Sequence, residues 1–313
     1  MAVKKSGILK IAGLSLVGFC AVSIGVDREN VGPIASQIAG FCGAFLGGLA
    51  AHRRTRAIEK AAENGAAVPP AWAERFREDG YVHLPELLPP DLITEAREKI
   101  AESLAAHYDE SRLVEYNNRS WCPELRDSPK IAQLLNDPAV RALCDAALGK
   151  GQYDVSEGQI AIRKAHNAPD RFPPTPHIDG IPTPHNGIEG NEIKSFTALL
   201  GVFLTEVSAE FAGNFTVWPG SHTLLEKHFA TRGKTALSEG MPDIPLGEPV
   251  QLLCKPGDVV FCHYELAHGA AANTSDNDRI AIFFRLWFKS IEGPNHADRR
   301  WYNLTHIWNG WRL

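Results

Sequence analysis

The sequence predicts a mainly β domain, an antiparallel barrel or jelly roll, with a helical segment and a hydrophobic hairpin before it. Three observations support this prediction: short apolar or alternating runs after residue 151, helical periodicity over 72–150, and two uncharged stretches before residue 52. Short strands joined by turns, without alternating helices, are typical of antiparallel folds. We divide the chain into a hairpin (1–56), a linker (57–71), a helical part (72–150), a β core (151–290) and an aromatic tail (291–313).

Two uncharged stretches, 11–26 and 31–51, occur near the start of the chain. The second is long enough to span a bilayer, which takes roughly 20 residues, and the first is marginal. Lysines precede the pair and a basic stretch, 52–56, follows it, which favours both ends on the cytoplasmic side. We therefore expect residues 11–51 to anchor a cytoplasmic domain to a membrane. A cleaved signal peptide and a soluble cytoplasmic protein with a hydrophobic helix pair stay open as alternatives.

The helical part shows clear start and stop signals. A short helix is expected to end at Gly80, "YVHL" to be extended, and Pro90 to begin an amphipathic helix. The stretch "SPKIAQLLNDPAVRALCDAALG" predicts two helices that meet at Asp137 and Pro138. The β core then follows as a series of strand-like runs, "QIAIRKA", "SFTALLGVFLTEV", "NFTVWPG", "VQLLCK", "DVVFCHY" and "RIAIFFRLWF".

Composition excludes some classes of partner. The net charge of −5, without a long run of Lys or Arg, gives no reason to expect nucleic-acid binding. The six cysteines include no CxxC pair, so free thiols are expected rather than a disulfide framework or a zinc cluster.

A His-x-Asp pair begins at three positions, His107, His177 and His296. On a strand, residues i and i+2 project from the same face, so both side chains can bind one metal ion. The pair at His107 ends a helix, and the pair at His296 is expected in a surface loop. By contrast, His177 and Asp179 lie in an extended, proline-bounded segment between strand-like runs, which favours this pair as the ligands.

Downstream residues can complete a metal site. His268 is expected at the end of another strand, and two imidazoles with one carboxylate form the facial arrangement of non-haem Fe(II) oxygenases. A chelating 2-oxo acid also needs a cation for its far carboxylate, and Arg279, which begins the next strand, can bind it in bidentate fashion. Arg285 has the same strand parity and competes for this role, and Arg163 could contact co-substrate or substrate.

The chain from about Trp72 to Phe288 resembles the phytanoyl-CoA dioxygenase family of Fe(II)/2-oxoglutarate oxygenases. "FREDGYVHLPELLPPDLI" is similar to the family's opening, "HID" to its metal pair, "GNFTVWPGSH" to its central strand and turn, and "PGDVVFCHYELAHGAAANTSDNDRIAIFF" to its closing segment. The resemblance implies a cupin-like double-stranded β-helix that uses Fe(II), 2-oxoglutarate and O₂. It also implies iron on His177, Asp179 and His268 and 2-oxoglutarate on Arg279.

Two details refine what the resemblance implies. Ala270 stands where the family often has a hydroxyl residue near the 2-oxoglutarate carboxylate, which weakens the inference of that contact. Related halogenases replace the metal-binding carboxylate by a small residue, so Asp179 favours hydroxylation of a small-molecule or lipid substrate, with release of succinate and CO₂. No catalytic residue beyond the metal centre is predicted.

Other residues and functions stay open. His263, in a rival His-x-Glu pair with Glu265, is expected to point into the barrel as an outer contact of the metal site or of substrate. His185 is assigned to a lid over 180–194, where it could contact substrate. The alternatives to the oxygenase are a cupin-like metalloenzyme that does not use 2-oxoglutarate and a non-catalytic, membrane-tethered binding protein.

Overall fold

The structure, a computed structural model, describes residues 70–167, 170–171, 174–182, 188, 192–291 and 296–313. Its α-helices are Pro70–Asp79 (α1), Pro90–His107 (α2), Leu113–Asn118 (α3), Pro129–Asn136 (α4), Pro138–Leu148 (α5), Ser221–Arg232 (α6) and His296–Leu304 (α7). Its strands are Tyr81–Leu84 (β1), Tyr153–Val155 (β2), Gln159–Arg163 (β3), Ala198–Phe203 (β4), Phe215–Val217 (β5), Val250–Gln251 (β6), Val259–His263 (β7), His268–Ala270 (β8) and Arg279–Phe288 (β9). Short 3₁₀ helices cover Glu110–Arg112, Pro123–Leu125, Lys234–Glu239 and Lys289–Ile291.

Two antiparallel sheets form the β core. The larger has the strand order β1-β7-β4-β9-β2, with β3 also paired to β9, and the smaller has the order β6-β5-β8. In the register of the larger sheet, Arg163 on β3 is the partner of Arg279 on β9. Strand β9 is ten residues long. It pairs with β4 along one edge and with both β2 and β3 along its other edge.

The two faces of β9 belong to different hydrophobic cores. Ile282, Phe284 and Leu286 pack with the helical part, whereas Ala281 and Phe283 pack with side chains of the smaller sheet. Because side chains alternate along a strand, odd-numbered residues of β9 face the space between the sheets. This alternation places Arg279 and Arg285 on the inner face.

Helices α4 and α5 cover the outer face of the larger sheet. Each begins with proline at its first position, where the missing N–H costs no helical hydrogen bond. The side chain of Asp137 accepts a hydrogen bond from the Ala139 N–H and so ends one helix and caps the next. The buried residues Ile131, Leu134 and Leu135 recur at helical spacing and join the same core as β9.

Asp258 connects β1 to the turn before β7. Its Oδ1 accepts a hydrogen bond from the Glu86 N–H at 2.7 Å. Its Oδ2 accepts a hydrogen bond from the Lys255 N–H at 2.9 Å and lies 2.7 Å from the His83 Nε2. With Cys254 nearby, these side chains also bring three potential metal donors within 4.8 Å. Both carboxylate oxygens are already hydrogen-bonded, so the cluster is explained by its role in holding the turn.

The prediction of a mainly β domain with a helical part is confirmed, and the predicted helical breaks at Gly80 and at Asp137 agree with the structure. Two helices differ from expectation: α6 follows β5 where only a turn was expected, and His296 begins α7 rather than lying in a loop.

The aromatic tail packs on the domain. Trp308 and Trp311 contact the hydrophobic core of the helical part, and Trp301 contacts the hydrophobic core between the two sheets. The predicted hairpin at 11–51 lies outside the described residues, and none of the helices described is long and apolar enough to cross a membrane.

Replacing Asp258 by alanine is expected to lower the free energy of unfolding by about 2–4 kcal/mol, because two main-chain N–H groups and the His83 imidazole lose the buried carboxylate that they contact. Chemical denaturation measures the change. Asp243→Ala is the matched control, since Asp243 is exposed, and it should stay within about 0.5 kcal/mol of wild type. Equal stability of the Asp258→Ala variant and the control would contradict this role.

Candidate functional site

The site begins with main-chain pairing between His177 and His268. Each residue's N–H donates to the other's carbonyl oxygen at 2.9 Å, an isolated antiparallel bridge that adds the His177 segment to β8 at the edge of the smaller sheet. The two imidazole rings lie side by side, with centroids 4.5 Å apart. Asp179 is two residues further along the extended segment and reaches the same point, as the spacing predicts.

Three donor atoms converge at this point. The Oδ1 of Asp179 lies 3.7 Å from the Nε2 of His177 and 3.8 Å from the Nε2 of His268. Two ligands that each bind one ion at about 2.1 Å stand at most about 4.2 Å apart, so these distances suit a shared ion. Two neutral imidazoles and a carboxylate also form a donor set that suits Fe(II) and related divalent metals.

Hydrogen bonding and burial prepare His268 to act as a ligand. Its Nδ1 donates to the Leu266 carbonyl oxygen at 2.9 Å, which leaves the Nε2 lone pair directed at the site. Burial, and then the positive charge that His177 can carry, lower the pKa of His268 to about 4. The imidazole is therefore neutral near pH 7, the form that binds metals.

Asp179 is kept ionised by its neighbours. Burial alone would raise its pKa, but the charge of Arg285, and at low pH the charges of the protonated imidazoles, outweigh burial and hold the pKa of Asp179 well below its usual range. Arg285 contacts only the Oδ2 atom of the carboxylate, at 3.1 Å from Nε and 2.5 Å from Nη2. The Oδ1 atom is left facing the histidines.

A second group of charges lies deeper between the sheets. Arg279 is 2% exposed, and its Nε and Nη1 donate to the main-chain carbonyls of Gly213 and Ala161 at 2.8 and 3.1 Å. Arg163 is its direct cross-strand partner. Burial and, second, repulsion from Arg163 lower the pKa of Arg279 to about 9, and burial lowers that of Arg163. Neither arginine has an acidic partner among the residues that the structure describes, so the pair carries two positive charges without a counter-charge there.

Gly213 lets the chain pass over this arginine pair. Its φ of +74° lies in the left-handed region, and a Cβ here would come within 2.9 Å of the Arg163 Cβ and 3.2 Å of the Arg279 Cβ. A side chain at this position would push the two strands away from the loop. Glycine is therefore required for the carbonyl of residue 213 to accept the Arg279 hydrogen bond.

A cavity of about 880 Å³ joins the donor atoms to the arginine pair. Aromatic and aliphatic side chains form much of its wall, and Ala270 contributes a methyl group where a hydroxyl would be able to donate a hydrogen bond. This combination of a largely apolar wall with a few converging polar groups is typical of sites for small organic molecules. The lining includes Tyr116, Trp121, Phe196, Leu199, Phe215, Met241 and Phe283.

His263 does not lie where the sequence suggested. It shares the face of β7 with Val259 and Phe261, which belong to the helical core, so its ring packs 5.3 Å from Trp308 and its Nε2 contacts the Ile307 carbonyl oxygen at 3.0 Å. The prediction that the His263 side chain points into the barrel is therefore wrong. Side chains alternate along β7, and the ones that point inward are Val260 and Cys262. Neither His263 nor its neighbour Glu265 lines the cavity.

The remaining predicted residues fall into two groups. Arg163, Ala270 and Arg285 all line the cavity, together with the three donor residues and Arg279. His185 lies outside the described residues, as does most of the expected lid over 180–194. Sequence reasoning missed Gln159, whose Oε1 accepts a hydrogen bond from Arg285 at 2.8 Å; its inward parity with Arg163 on β3 was the available signal.

The family model described as phytanoyl-CoA dioxygenase (PhyH) matches residues 76–281, about two thirds of the chain. The chain belongs to the phytanoyl-CoA dioxygenase family. It is therefore a non-haem iron, 2-oxoglutarate-dependent dioxygenase, and its cofactor and co-substrates are Fe(II), 2-oxoglutarate and O₂. The resemblance noted in the sequence is confirmed.

Solved structures similar to this PhyH-family chain include enzymes that use the same co-substrate. The carbocyclase SnoK from nogalamycin biosynthesis, an α-ketoglutarate-dependent non-haem enzyme, is 25% identical, with 72% of this chain and 85% of that chain covered and a TM-score of 0.48. The epimerase SnoN, solved with Fe³⁺, α-ketoglutarate and nogalamycin RO, is 21% identical, with 70% and 82% covered and a TM-score of 0.46. HygX from Streptomyces hygroscopicus, solved with nickel and 2-oxoglutarate, is 17% identical, with 71% and 88% covered and a TM-score of 0.47. No curated protein sequence was found to match the chain.

Acid is expected to destabilise this PhyH-family protein through buried histidines outside the cluster of His177, Asp179 and His268. Burial lowers the pKa of His222 to about 4 and, with repulsion from His222, that of His263 to about 3. The unfolded chain takes up these protons near pH 6.5, whereas the folded chain does not, so the free energy of unfolding decreases as pH falls from 6.5 and is insensitive to these groups above it. Each group accounts for about 2 kcal/mol between pH 7 and pH 5.

His263→Gln keeps a polar side chain but cannot take up the proton. Denaturation of the metal-free protein at pH 7 and pH 5 is therefore expected to show a smaller loss of stability in the variant, by about 2 kcal/mol. An identical pH dependence in wild type and variant would show that His263 titrates normally in the folded protein.

Proposed function

We propose that this enzyme hydroxylates a C–H bond of a small-molecule or lipid substrate, with His177, Asp179 and His268 as the metal ligands. The convergence of two imidazole Nε2 atoms and one carboxylate oxygen at the mouth of the arginine-lined cavity is the observation that supports this proposal. Three protein ligands on one side of an ion leave its other positions open for co-substrates. A bound Fe(II) would supply O₂ activation coupled to oxidative decarboxylation of 2-oxoglutarate.

The arginine pair fits the far carboxylate of 2-oxoglutarate. Arg279 is held by two main-chain carbonyls, so its guanidinium is already oriented, and Arg163 adds a second positive charge across the strand pair. An anion between them would relieve their repulsion and supply the missing counter-charge. Since Ala270 offers no hydroxyl, we assign the second contact to Arg163 in this chain.

The residues around the ion would favour oxygen transfer to carbon. Asp179 supplies a protein carboxylate to the ion, so the position that halide needs in the related halogenases is filled. The apolar cavity wall excludes water from the reacting bond and leaves space for an organic substrate beside the metal site. Hydroxylation with release of succinate and CO₂ is the reaction that these features support best.

A screen for substrate-stimulated succinate release, with the Fe(II)-loaded enzyme and 2-oxoglutarate, tests this function. Turnover that requires a candidate substrate and yields its hydroxylated product would support the proposal. His177→Ala is the control, and it should bind Co(II) weakly and release no succinate. Turnover at the wild-type rate in His177→Ala would rule out the proposed ligands.

Arg279→Leu is expected to raise the KM for 2-oxoglutarate by about 100-fold or more, because a desolvated carboxylate loses its oriented partner. Arg163→Leu should have a smaller effect, about tenfold, since within the described residues no hydrogen bond orients its guanidinium as Gly213 and Ala161 orient that of Arg279. Steady-state kinetics at saturating Fe(II) measures both changes. Arg97→Leu removes an exposed arginine from α2 and is the control.

Wild-type KM values for 2-oxoglutarate in both Arg279→Leu and Arg163→Leu would contradict the assignment of its far carboxylate to this pair.

A further inference from the structure

We propose that Arg285 is a positioning residue that limits Asp179 to binding the metal ion through one oxygen. This inference rests on the proposed ligand assignment. The sequence left Arg285 as a competitor for the 2-oxo acid, whereas its contacts lead towards the metal-binding carboxylate and a chain of residues that supports it.

The contacts of Arg285 divide the two oxygens of Asp179 between different tasks. Its Nε and Nη2 both donate to Oδ2, at 3.1 and 2.5 Å, and this oxygen is thereby occupied by two charge-assisted hydrogen bonds. The other oxygen, Oδ1, is the atom that lies 3.7 and 3.8 Å from the two histidine nitrogens. The guanidinium therefore holds the carboxylate with one oxygen directed at the ion.

Arg285 is itself fixed by its surroundings. Its Nη1 donates to the Oε1 of Gln159 at 2.8 Å, and its guanidinium lies over the Phe196 ring, 5.5 Å from the centroid. Gln159 in turn donates from Nε2 to the main-chain carbonyl of Arg119 at 2.6 Å. This chain of contacts extends from the main chain through Gln159 and Arg285 to Asp179, so the carboxylate orientation does not depend on one flexible side chain.

The same contacts argue against Arg285 as the anchor for the 2-oxo acid. All three of its nitrogens already donate to acceptors within the protein. Arg279 and Arg163, by contrast, have no acidic partner in the described part of the chain. A carboxylate of 2-oxoglutarate would therefore bind more favourably at the arginine pair, whose charge is not compensated, than at Arg285, whose charge is compensated by Asp179.

One-oxygen binding by Asp179 has a consequence for the reaction. A carboxylate whose second oxygen is free can bind an ion through both oxygens, as it often does for Ca²⁺. At this site a second oxygen would fill a position that the co-substrates need. By occupying Oδ2, Arg285 keeps that position available.

Titration of the metal-free enzyme with Co(II), followed by calorimetry and by visible absorption, tests this role. Arg285→Met should change the absorption spectrum at saturating Co(II), because the freed Oδ2 lets the carboxylate bind the ion through both oxygens, and it should change the Co(II) affinity about 10–100-fold. Gln159→Leu should shift both readouts in the same direction but less, and Arg285→Lys should restore part of the wild-type spectrum and affinity.

Arg163→Met is the matched control, because it removes the same charge from the same cavity without contact to Asp179. In the absence of 2-oxoglutarate it should keep the wild-type Co(II) spectrum. A wild-type Co(II) spectrum in Arg285→Met would overturn the proposal. If Arg285→Met does not fold, as judged by circular dichroism, Gln159→Leu and Arg285→Lys decide, and wild-type affinity and spectra in both would overturn it.

Failure of the ligand assignment has a different signature. If His177→Ala binds Co(II) as tightly as wild type and with the same spectrum, the proposed metal site is wrong and Arg285 has no ligand to position. If His177→Ala loses Co(II) while the Arg285 and Gln159 variants behave as wild type, the site stands and only the positioning role fails.

Discussion

Two main-chain hydrogen bonds between His177 and His268 are the contact on which the site depends. They join the proline-bounded segment of His177 to the short strand β8. The imidazole rings of His177 and His268 therefore lie next to each other. Asp179 then reaches that point because residues i and i+2 of an extended chain share a face. Without this bridge, the segment that carries His177 and Asp179 would not be paired with the strand that carries His268.

Strand alternation organises the charges around this bridge. On β9, one face packs into the helical core and the other carries Arg279 and Arg285 into the space between the sheets. The two arginines differ in their partners: Arg285 is compensated by Asp179, and Arg279 faces another arginine across the strand pair. In our proposal these two arginines of one strand face have different roles: Arg285 positions Asp179, and Arg279 binds the far carboxylate of 2-oxoglutarate. The roles are assigned by counter-charge: Arg285 has an acidic partner inside the described protein, and Arg279 does not.

Much of this arrangement could be predicted from the sequence, because it depends on local patterns. The spacing of His177 and Asp179 and the parity of Arg279 and Arg285 require only that the segments are extended. The orientation of His263 could not be predicted, since an isolated strand does not reveal which face meets the helices. Helix α6 was missed because its buried residues, 221, 222, 225 and 229, are few and include a serine and a histidine. The pairing of Arg285 with Asp179 joins distant segments, so only the folded chain reveals it.

The position of the metal ion is the most direct test of this account. Crystals of the enzyme grown without O₂, with Co(II) and 2-oxoglutarate, would locate the ion by its anomalous scattering. We expect one strong peak within about 2.2 Å of the Nε2 atoms of His177 and His268 and of the Oδ1 of Asp179, with the far carboxylate of 2-oxoglutarate at Arg279. A peak at another set of donors, such as His83, Cys254 and Asp258, with none between the two histidines, would contradict it.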